Sequence, residues 1–297
     1  MSSPVSFSKQ GAIGVVTVDN PPVNALSQAV RQGIQDGVLQ GAGDDEVKAI
    51  VIIGAGRTYM AGADITEFGK PPKDPSLHAV IATIEDCAKP VISALHGTAL
   101  GGGLETALAC HYRVAIASAQ VGLPEVKLGI LPGAGGTQRL PRLIGVEKAL
   151  PMITSGDPIR AAQALELGII DEIVEGDLLA GGIAFAEKVV AEGRELRRVR
   201  DIDENVASAR GNDEIYANFR KSIARRTRGF FAPDKIIDCV RDAAELPFGE
   251  GIKMERERFM ECMNSPQASG LMFSFFAERG ANKIPDVPKD TPLREIK

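Results

Sequence analysis

The stretch His96–Leu140, HGTALGGGLETALACHYRVAIASAQVGLPEVKLGILPGAGGTQRL, constrains the fold more tightly than any other part of the chain. Gly101, Gly102 and Gly103 follow an apolar run and precede LETALAC, which has helix-forming character. That order predicts a tight strand-to-helix turn, because consecutive glycines leave the backbone bare and let another group approach it closely. Glu105 then falls in or near the first helical turn. Free N–H donors and the positive end of the helix dipole favour negative charge on a group bound there. Such a place can stabilise a developing oxyanion.

Glu125 lies on a different element. Val121-Gly122-Leu123-Pro124 is a short apolar stretch, and Pro124 excludes a helix interior just ahead of the carboxylate. Its flanks, VGLP and VKLGILPG, are largely apolar, which points to a poorly hydrated site. Two carboxylates close together in such surroundings push at least one proton affinity upward, as acid/base work requires. The competing reading makes both of them surface or salt-bridged residues, as charged side chains usually are. Spacing alone does not decide between the two.

Hydrophobic spacing places the elements around this stretch. Val5–Phe7 and Ala12–Val18 read as strands joined by a turn at Lys9-Gln10-Gly11. Ser27 is expected to cap a helix carrying Val30, Ile34 and Val38 on one face. Ala49–Ile53 reads as a strand buried on both sides, and Leu77–Ala88 as a helix. Pro90–Leu95, Tyr112–Ala117 and Val121–Leu123 read as further strands. Helices are expected from Gly135 or Gly136 through Arg142, and over Gly145–Ser155, Arg160–Leu167 and Leu178–Ala191. Beyond about Asp177 the pattern holds helices without strands. Glu192–Asn212 reads as a charged connector, and Asp213–Arg226, Ala232–Glu245 and Ile252–Met263 as amphipathic segments. The expected organisation is an α/β part over 1–190, a helical region over 191–283 and a frayed tail over 284–297.

Bulk properties exclude several function classes. A chain of 297 residues, 44% hydrophobic and 25% charged, can bury a sizeable core. A formal charge of −5 gives no reason to expect a nucleic-acid partner. Cys87, Cys110, Cys239 and Cys262 show no metal spacing and read as buried thiols in a reducing compartment. The N-terminus, MSSPVSFSKQG, lacks signal-peptide order, and no apolar run approaches the ~18 residues of a membrane span. A soluble, intracellular protein with no membrane partner is expected. Neither GAGRTY nor GAGGTQ completes G-x-G-x-x-G, since Tyr59 and Gln138 take the last position, so a dinucleotide site is not expected. His78, His96 and His111 lack a G-x-S-x-G or Cys/His arrangement and read as packing or capping residues.

Several separate motifs, in order, resemble the crotonase superfamily and within it the enoyl-CoA hydratase/isomerase group. They are PPVNALS (Pro21–Ser27), MAGADI (Met60–Ile65), His96–Ala109, LPEVKLGILPGAGGTQRL (Leu123–Leu140) and TSGDPIRAAQALELGIIDEIV from Thr154. The resemblance covers roughly residues 4–190 and implies a spiral of ββα repeats followed here by an all-helical C-terminal region. It implies catalytic roles for Glu105 and Glu125, and an oxyanion hole made by the Ala63 and Gly102 N–H groups. It also implies contacts to an acyl-CoA thioester from Ala25, Ala61, Asp64, Ile65, Gly101 and Gly133. The last of these, with Ala134, resembles the turn that lies against the reacting water. Met60 stands where the family usually has a small residue or cysteine. No metal site and no cofactor are implied, because coenzyme A is part of the substrate.

The last third carries a second resemblance. APDKIIDCVRDAAELPFGEGIKMERERFMECMNSPQASGLMFSFFAERGANK is similar to the helical segment of multifunctional β-oxidation enzymes. There it leads into a 3-hydroxyacyl-CoA dehydrogenase part, so fusion or association with such a dehydrogenase is one expectation and a homo-oligomer the other. Single-function relatives form trimers through C-terminal helices, whereas multifunctional ones fold those helices back within the chain. The basic run Lys221, Arg225, Arg226 and Arg228 is either a solvated helix face or a contact for coenzyme A phosphates.

The expected activity is hydration of trans-2-enoyl-CoA, with isomerisation of 3-enoyl-CoA beside it, in bacterial cytosol or, in a eukaryote, the peroxisome matrix. The rivals are another crotonase-type acyl-CoA enzyme, such as a dedicated isomerase, hydrolase or dehalogenase, and a non-catalytic acyl-CoA-binding subunit.

Overall fold

A computed structural model of the chain describes residues 3–67, 69–281 and 291. Two antiparallel strands, β1 (Val5–Gln10) and β2 (Ile13–Val18), open it, and Gly11 turns between them at a φ of +60°. The turn is tighter than predicted, because Lys9 and Gln10 stay in the ladder opposite Gly14 and Ile13. As an edge strand with an open face, β1 tolerates those polar side chains, and edge lysines also blunt unwanted strand pairing.

Helix α1 (Gln28–Gly43) leads to β3 (Ala49–Gly54), α2 (Leu77–Glu85), β4 (Val91–Leu95), β5 (Thr98–Leu100), α3 (Gly102–Ala109), β6 (Tyr112–Ile116) and β7 (Gln120–Gly122). Then come α4 (Gly136–Ile144), α5 (Val146–Ser155), β8 (Ile159–Arg160), α6 (Ala161–Glu166) and β9 (Glu172–Val174). From there the described residues hold helices alone: α7 (Leu178–Ala191), α8 (Glu204–Ala207), α9 (Asp213–Ile223), α10 (Ala232–Glu245), α11 (Phe248–Met263) and α12 (Pro266–Ala281). Short 3-10 turns occupy Ile65–Glu67, Pro124–Leu128 and Val199–Asp201. The expected tail, Ile284–Lys297, lies outside the described residues except for Thr291.

Six strands make one sheet in the order β1-β2-β3-β4-β6-β9, parallel from β2 onward. A second, small sheet joins β5, β7 and β8. Strand β5 follows β4 almost at once, and β7 follows β6, so these two turns of the chain each lay one strand in each sheet before a helix. The result is a spiral of strand–strand–helix units, with the second sheet beside the helix starts.

Central strands are buried on both faces, which explains their unbroken apolar runs. On β3, Ile50 and Ile52 face one core while Ala49, Val51 and Ile53 face another, closed by Phe185, Ala186 and Val189 of α7. Helix α1 buries Val30, Ile34 and Val38 as its spacing predicted, each contributing about 1.5–3 kcal/mol. It approaches the sheet closely: a Cβ added to Gly37 would stand 2.9 Å from Val16, and one on Gly41 2.8 Å from Ile50.

The apolar interior does not stop near residue 190. Val199, Val206, Tyr216, Ile236 and Cys262 belong to the same cluster as Ile50 and Leu104. Helix α10 packs on α4 and α5, and α11 on α4. The charged connector Glu192–Asn212 is pinned as well, since Val199 and Val206 are buried and Arg198 donates to the Glu85 carbonyl at 2.9 Å. Arg198 and Arg200 read as solvated in sequence because their acceptors, on Glu85 and Asp86, lie more than a hundred residues away. All four cysteines are buried and free.

Candidate active site

The turn into α3 takes the geometry its glycines allow. Gly101 caps the helix at φ +55° and ψ −128°, a conformation that L side chains avoid, and its N–H donates to the Gly122 carbonyl at 2.9 Å. A Cβ on Gly101 would stand 2.9 Å from Oε1 of Glu125, and one on Gly103 would meet the Met60 carbonyl at 2.1 Å. The bare backbone therefore lets α3 sit against two other segments. Met60 itself is fully buried under it.

Gly102 opens α3, so its N–H is one of those a helix leaves unpaired. A Cβ on Gly102 would lie 3.5 Å from the Ala63 backbone nitrogen, which puts the two proposed oxyanion-hole residues side by side. Outside the regular elements, neither N–H donates to a backbone carbonyl among the described residues. Ala63 is held there by a parallel bridge to Leu26. Two residues before Leu26, Asn24 Nδ2 reaches the Ala55 and Thr58 carbonyls at 2.9 and 2.8 Å and its Oδ1 accepts from Asn20 N–H.

More of the expected contact residues lie on the segments that the Leu26–Ala63 bridge joins. Ala25 precedes Leu26, and Ala61 N–H donates to the Val23 carbonyl at 3.1 Å. Asp64 caps the short turn that Ile65 opens, its Oδ1 accepting from Thr66 N–H and hydroxyl at 3.0 and 2.7 Å. Glu67, at the end of that turn, was invisible in the sequence. It accepts Gln28 N–H and the Arg31 guanidinium, each at 2.8 Å, and so caps α1, whereas the Ser27 hydroxyl predicted for that role makes no cap bond.

Glu105 is 3% exposed, in the first turn of α3. Its Oε1 accepts the Ala134 and Gly136 N–H groups at 2.7 and 2.8 Å. Burial raises its proton affinity, opposed by those two donors and by Arg139 nearby. Glu125 sits in the 3-10 turn that Pro124 starts; the proline ends no helix here but begins a tighter one. Its Oε2 is buried with no hydrogen-bond partner among the described residues. Burial first, then the Glu105 charge, push its proton affinity well above the usual carboxylate range. The two acids thus share one poorly hydrated place.

A third acid was missed. Glu255, on α11, is fully buried and accepts Gly135 N–H at 2.7 Å, Thr137 N–H at 3.1 Å and the Thr137 hydroxyl. Burial, reinforced by the Glu105 charge, pushes its pKa to about 8. The signal lay in MERERFM: Glu255 falls three residues after Ile252 and four before Phe259, on the apolar stripe of its helix. Gly133 backs onto the same helix, where a Cβ would stand 2.5 Å from the Phe259 ring. The nearby cation, Arg139, bonds to neither acid: Nε and Nη2 lie on Glu85 at 3.0 and 2.6 Å, and Nη1 donates to the Ala134 carbonyl at 3.3 Å.

Two of the histidines have backbone partners. His111 Nδ1 accepts Val91 N–H at 3.0 Å, burial keeps that ring neutral with a pKa of about 4, and His96 Nε2 lies 3.1 Å from the Gly56 carbonyl. Lys221, Arg225, Arg226 and Arg228 are all exposed. No described helix is long and apolar enough to cross a membrane.

A spiral of strand–strand–helix units with paired acids beside a glycine-rich helix start defines a class, and comparison with known proteins agrees with it. The enoyl-CoA hydratase/isomerase family model matches residues 8–219, and the chain belongs to that family. It is 44% identical over 272 residues to the peroxisomal bifunctional enzyme of Danio rerio, covering 92% of this chain and 38% of that one. It is 35% identical over 285 residues to the fatty acid oxidation complex subunit alpha of Shewanella frigidimarina, covering 91% of this chain and 40% of that one. The chain thus spans about two-fifths of the length of these relatives. Among solved structures, an enoyl-CoA hydratase from Bacillus anthracis matches with a TM-score of 0.60 at 27% identity, over 93% of this chain and 96% of that one.

Proposed function

We propose that this chain adds water to trans-2-enoyl-CoA, giving 3-hydroxyacyl-CoA. The observation that carries the reading is the placing of Glu105 and Glu125 in one buried site, beside the bare backbone of Gly101–Gly102 and Ala63. In this reading the Ala63 and Gly102 N–H groups receive the thioester oxygen as it becomes enolate-like, which makes C3 electrophilic. Water sits between the carboxylates. Glu105, oriented by Ala134 and Gly136, takes its proton as oxygen attacks C3, and Glu125, the acid with the higher proton affinity, delivers a proton to C2. Both act on one face, so the addition is syn. Ala25, Ala61, Asp64, Ile65, Gly101 and Gly133 are the proposed substrate contacts.

The unpartnered Oε2 of Glu125 favours a second activity at the same site. Moving a double bond from position 3 to position 2 needs one group to carry a proton between C4 and C2, and Glu125 suffices. The chemistry draws on no metal or redox cofactor. Residues 1–190 are the proposed catalytic core and 191–283 the proposed helical region, of which α10 and α11 pack on that core. A 3-hydroxyacyl thioester is substrate for a dehydrogenase, so fusion or association with a 3-hydroxyacyl-CoA dehydrogenase belongs to the proposal, in a peroxisome matrix or a bacterial cytosol. The test is to mix the chain with crotonyl-CoA and follow the conjugated thioester absorbance. Loss of absorbance with formation of 3-hydroxybutyryl-CoA is expected; binding without loss contradicts the reading.

A further inference from the structure

Hydration as proposed employs Glu105 and Glu125 and leaves the third buried acid, Glu255, without a role. Its place is particular. Successive N–H groups of the turn into α4 alternate between two acids, Ala134 and Gly136 donating to Glu105 and Gly135 and Thr137 donating to Glu255. Gln138 Nε2 donates to the Thr137 hydroxyl at 3.1 Å, which commits the hydroxyl proton to Glu255. Glu255 is thus built into the turn as an acceptor on both oxygens.

We propose that Glu255 is a positioning residue for hydration: from α11 it clamps the turn into α4, and so fixes the N–H pair that orients the Glu105 carboxylate. This rests on the hydration reading above. The clamp works because adjacent peptide planes share a Cα. If Gly135 and Thr137 lose their acceptor, their N–H groups must rotate to find another in a dry interior. That rotation carries Ala134 and Gly136 away from Glu105, and small misplacement of a catalytic group is costly. Charge adds a second effect. The groups facing Glu255 are Glu105 on α3, Arg139 on α4, Glu125 on its 3-10 turn and the Cys239 thiol on α10. Above about pH 8, where Glu255 is ionised, its charge strengthens proton binding by Glu125, so removing that charge weakens the hold there.

Because the clamp acts through Glu105, it bears on hydration more than on double-bond migration, which a purely structural role would not do. In the full chain, Glu255→Gln should lower kcat for crotonyl-CoA hydration by about tenfold or more while KM changes by less than about twofold. Isomerisation of a 3-enoyl-CoA should fall much less, and the alkaline limb of the hydration pH profile should move to lower pH. Thr137→Val, which keeps the backbone donors and removes the hydroxyl, should shift the same ratio by a smaller factor. If Glu255→Gln unfolds, as read by circular dichroism, Thr137→Val decides. Equal loss of both activities with an unmoved alkaline limb, or no loss of either, overturns the clamp. Failure of the unsubstituted chain to hydrate crotonyl-CoA overturns instead the reading on which the clamp rests.

Discussion

The starts of α1 and α4 solve the same problem with opposite consequences. Each leaves N–H donors that a local side chain does not cap, and each receives glutamate from a distant segment. At α1 the acid is Glu67, one-third exposed and bonded to Arg31 of the helix it caps. At α4 the acids are Glu105 and Glu255, both buried, and the helix's own Arg139 pairs with Glu85 and donates to the Ala134 carbonyl rather than to either acid. One cap carries its counter-ion and is a stabilising device. The other leaves two carboxylates facing helix donors without direct cations, and their proton affinities rise. Where the arginine points separates a cap from a site.

The largest effect should come from breaking the pair that holds Arg139 aside. Arg139→Met strands Glu85, which is 1% exposed, with Arg200 as its remaining cation at 3.6 Å. Loss of one partner of a buried pair costs about 3–5 kcal/mol, so the unfolding free energy read from a urea titration should drop by that amount. Next comes the turn itself. A Cβ on Gly136 would stand 2.9 Å from Glu105 Oε1 and 2.8 Å from Pro132, so Gly136→Ala should displace the carboxylate. Hydration should fall about 100-fold with modest change in KM, read from steady-state kinetics.

Much of this arrangement was legible in the sequence, and the exceptions share a cause. The triple glycine and Pro124 flag Glu105 and Glu125 because they act through backbone geometry a few residues away. Helix α7 and the face Val30, Ile34, Val38 were readable because apolar period is local information. Glu255 and Glu67 were not, since their partners lie 120 and 39 residues distant. Glu255 looks as solvated as Glu257 in MERERFM until α11 is laid against α4. Lys9 and Gln10 misled for the converse reason, as polar residues that an edge strand accommodates.

The two caps also differ in their response to smaller changes. Glu255 is raised to about 8 in the folded chain against about 4.3 unfolded, so the folded state holds the extra proton between those values. Its contribution to stability is full below the unfolded value and lost as pH rises through about 8. The melting temperature should therefore fall over that window, and Glu255→Gln should flatten the fall. Glu67→Ala should be the mildest change, costing about 1 kcal/mol for a lost cap in a thermal melt.

The most direct measurement compares hydration of crotonyl-CoA with isomerisation of a 3-enoyl-CoA in Glu125→Gln and Glu105→Gln. Glu125→Gln should lose both activities by about 10²–10⁴-fold while still binding substrate. Glu105→Gln should lose hydration by a similar factor and keep most of the isomerisation. Full hydratase activity in either variant would contradict the assignment of that carboxylate, and with it the division of labour between the two acids.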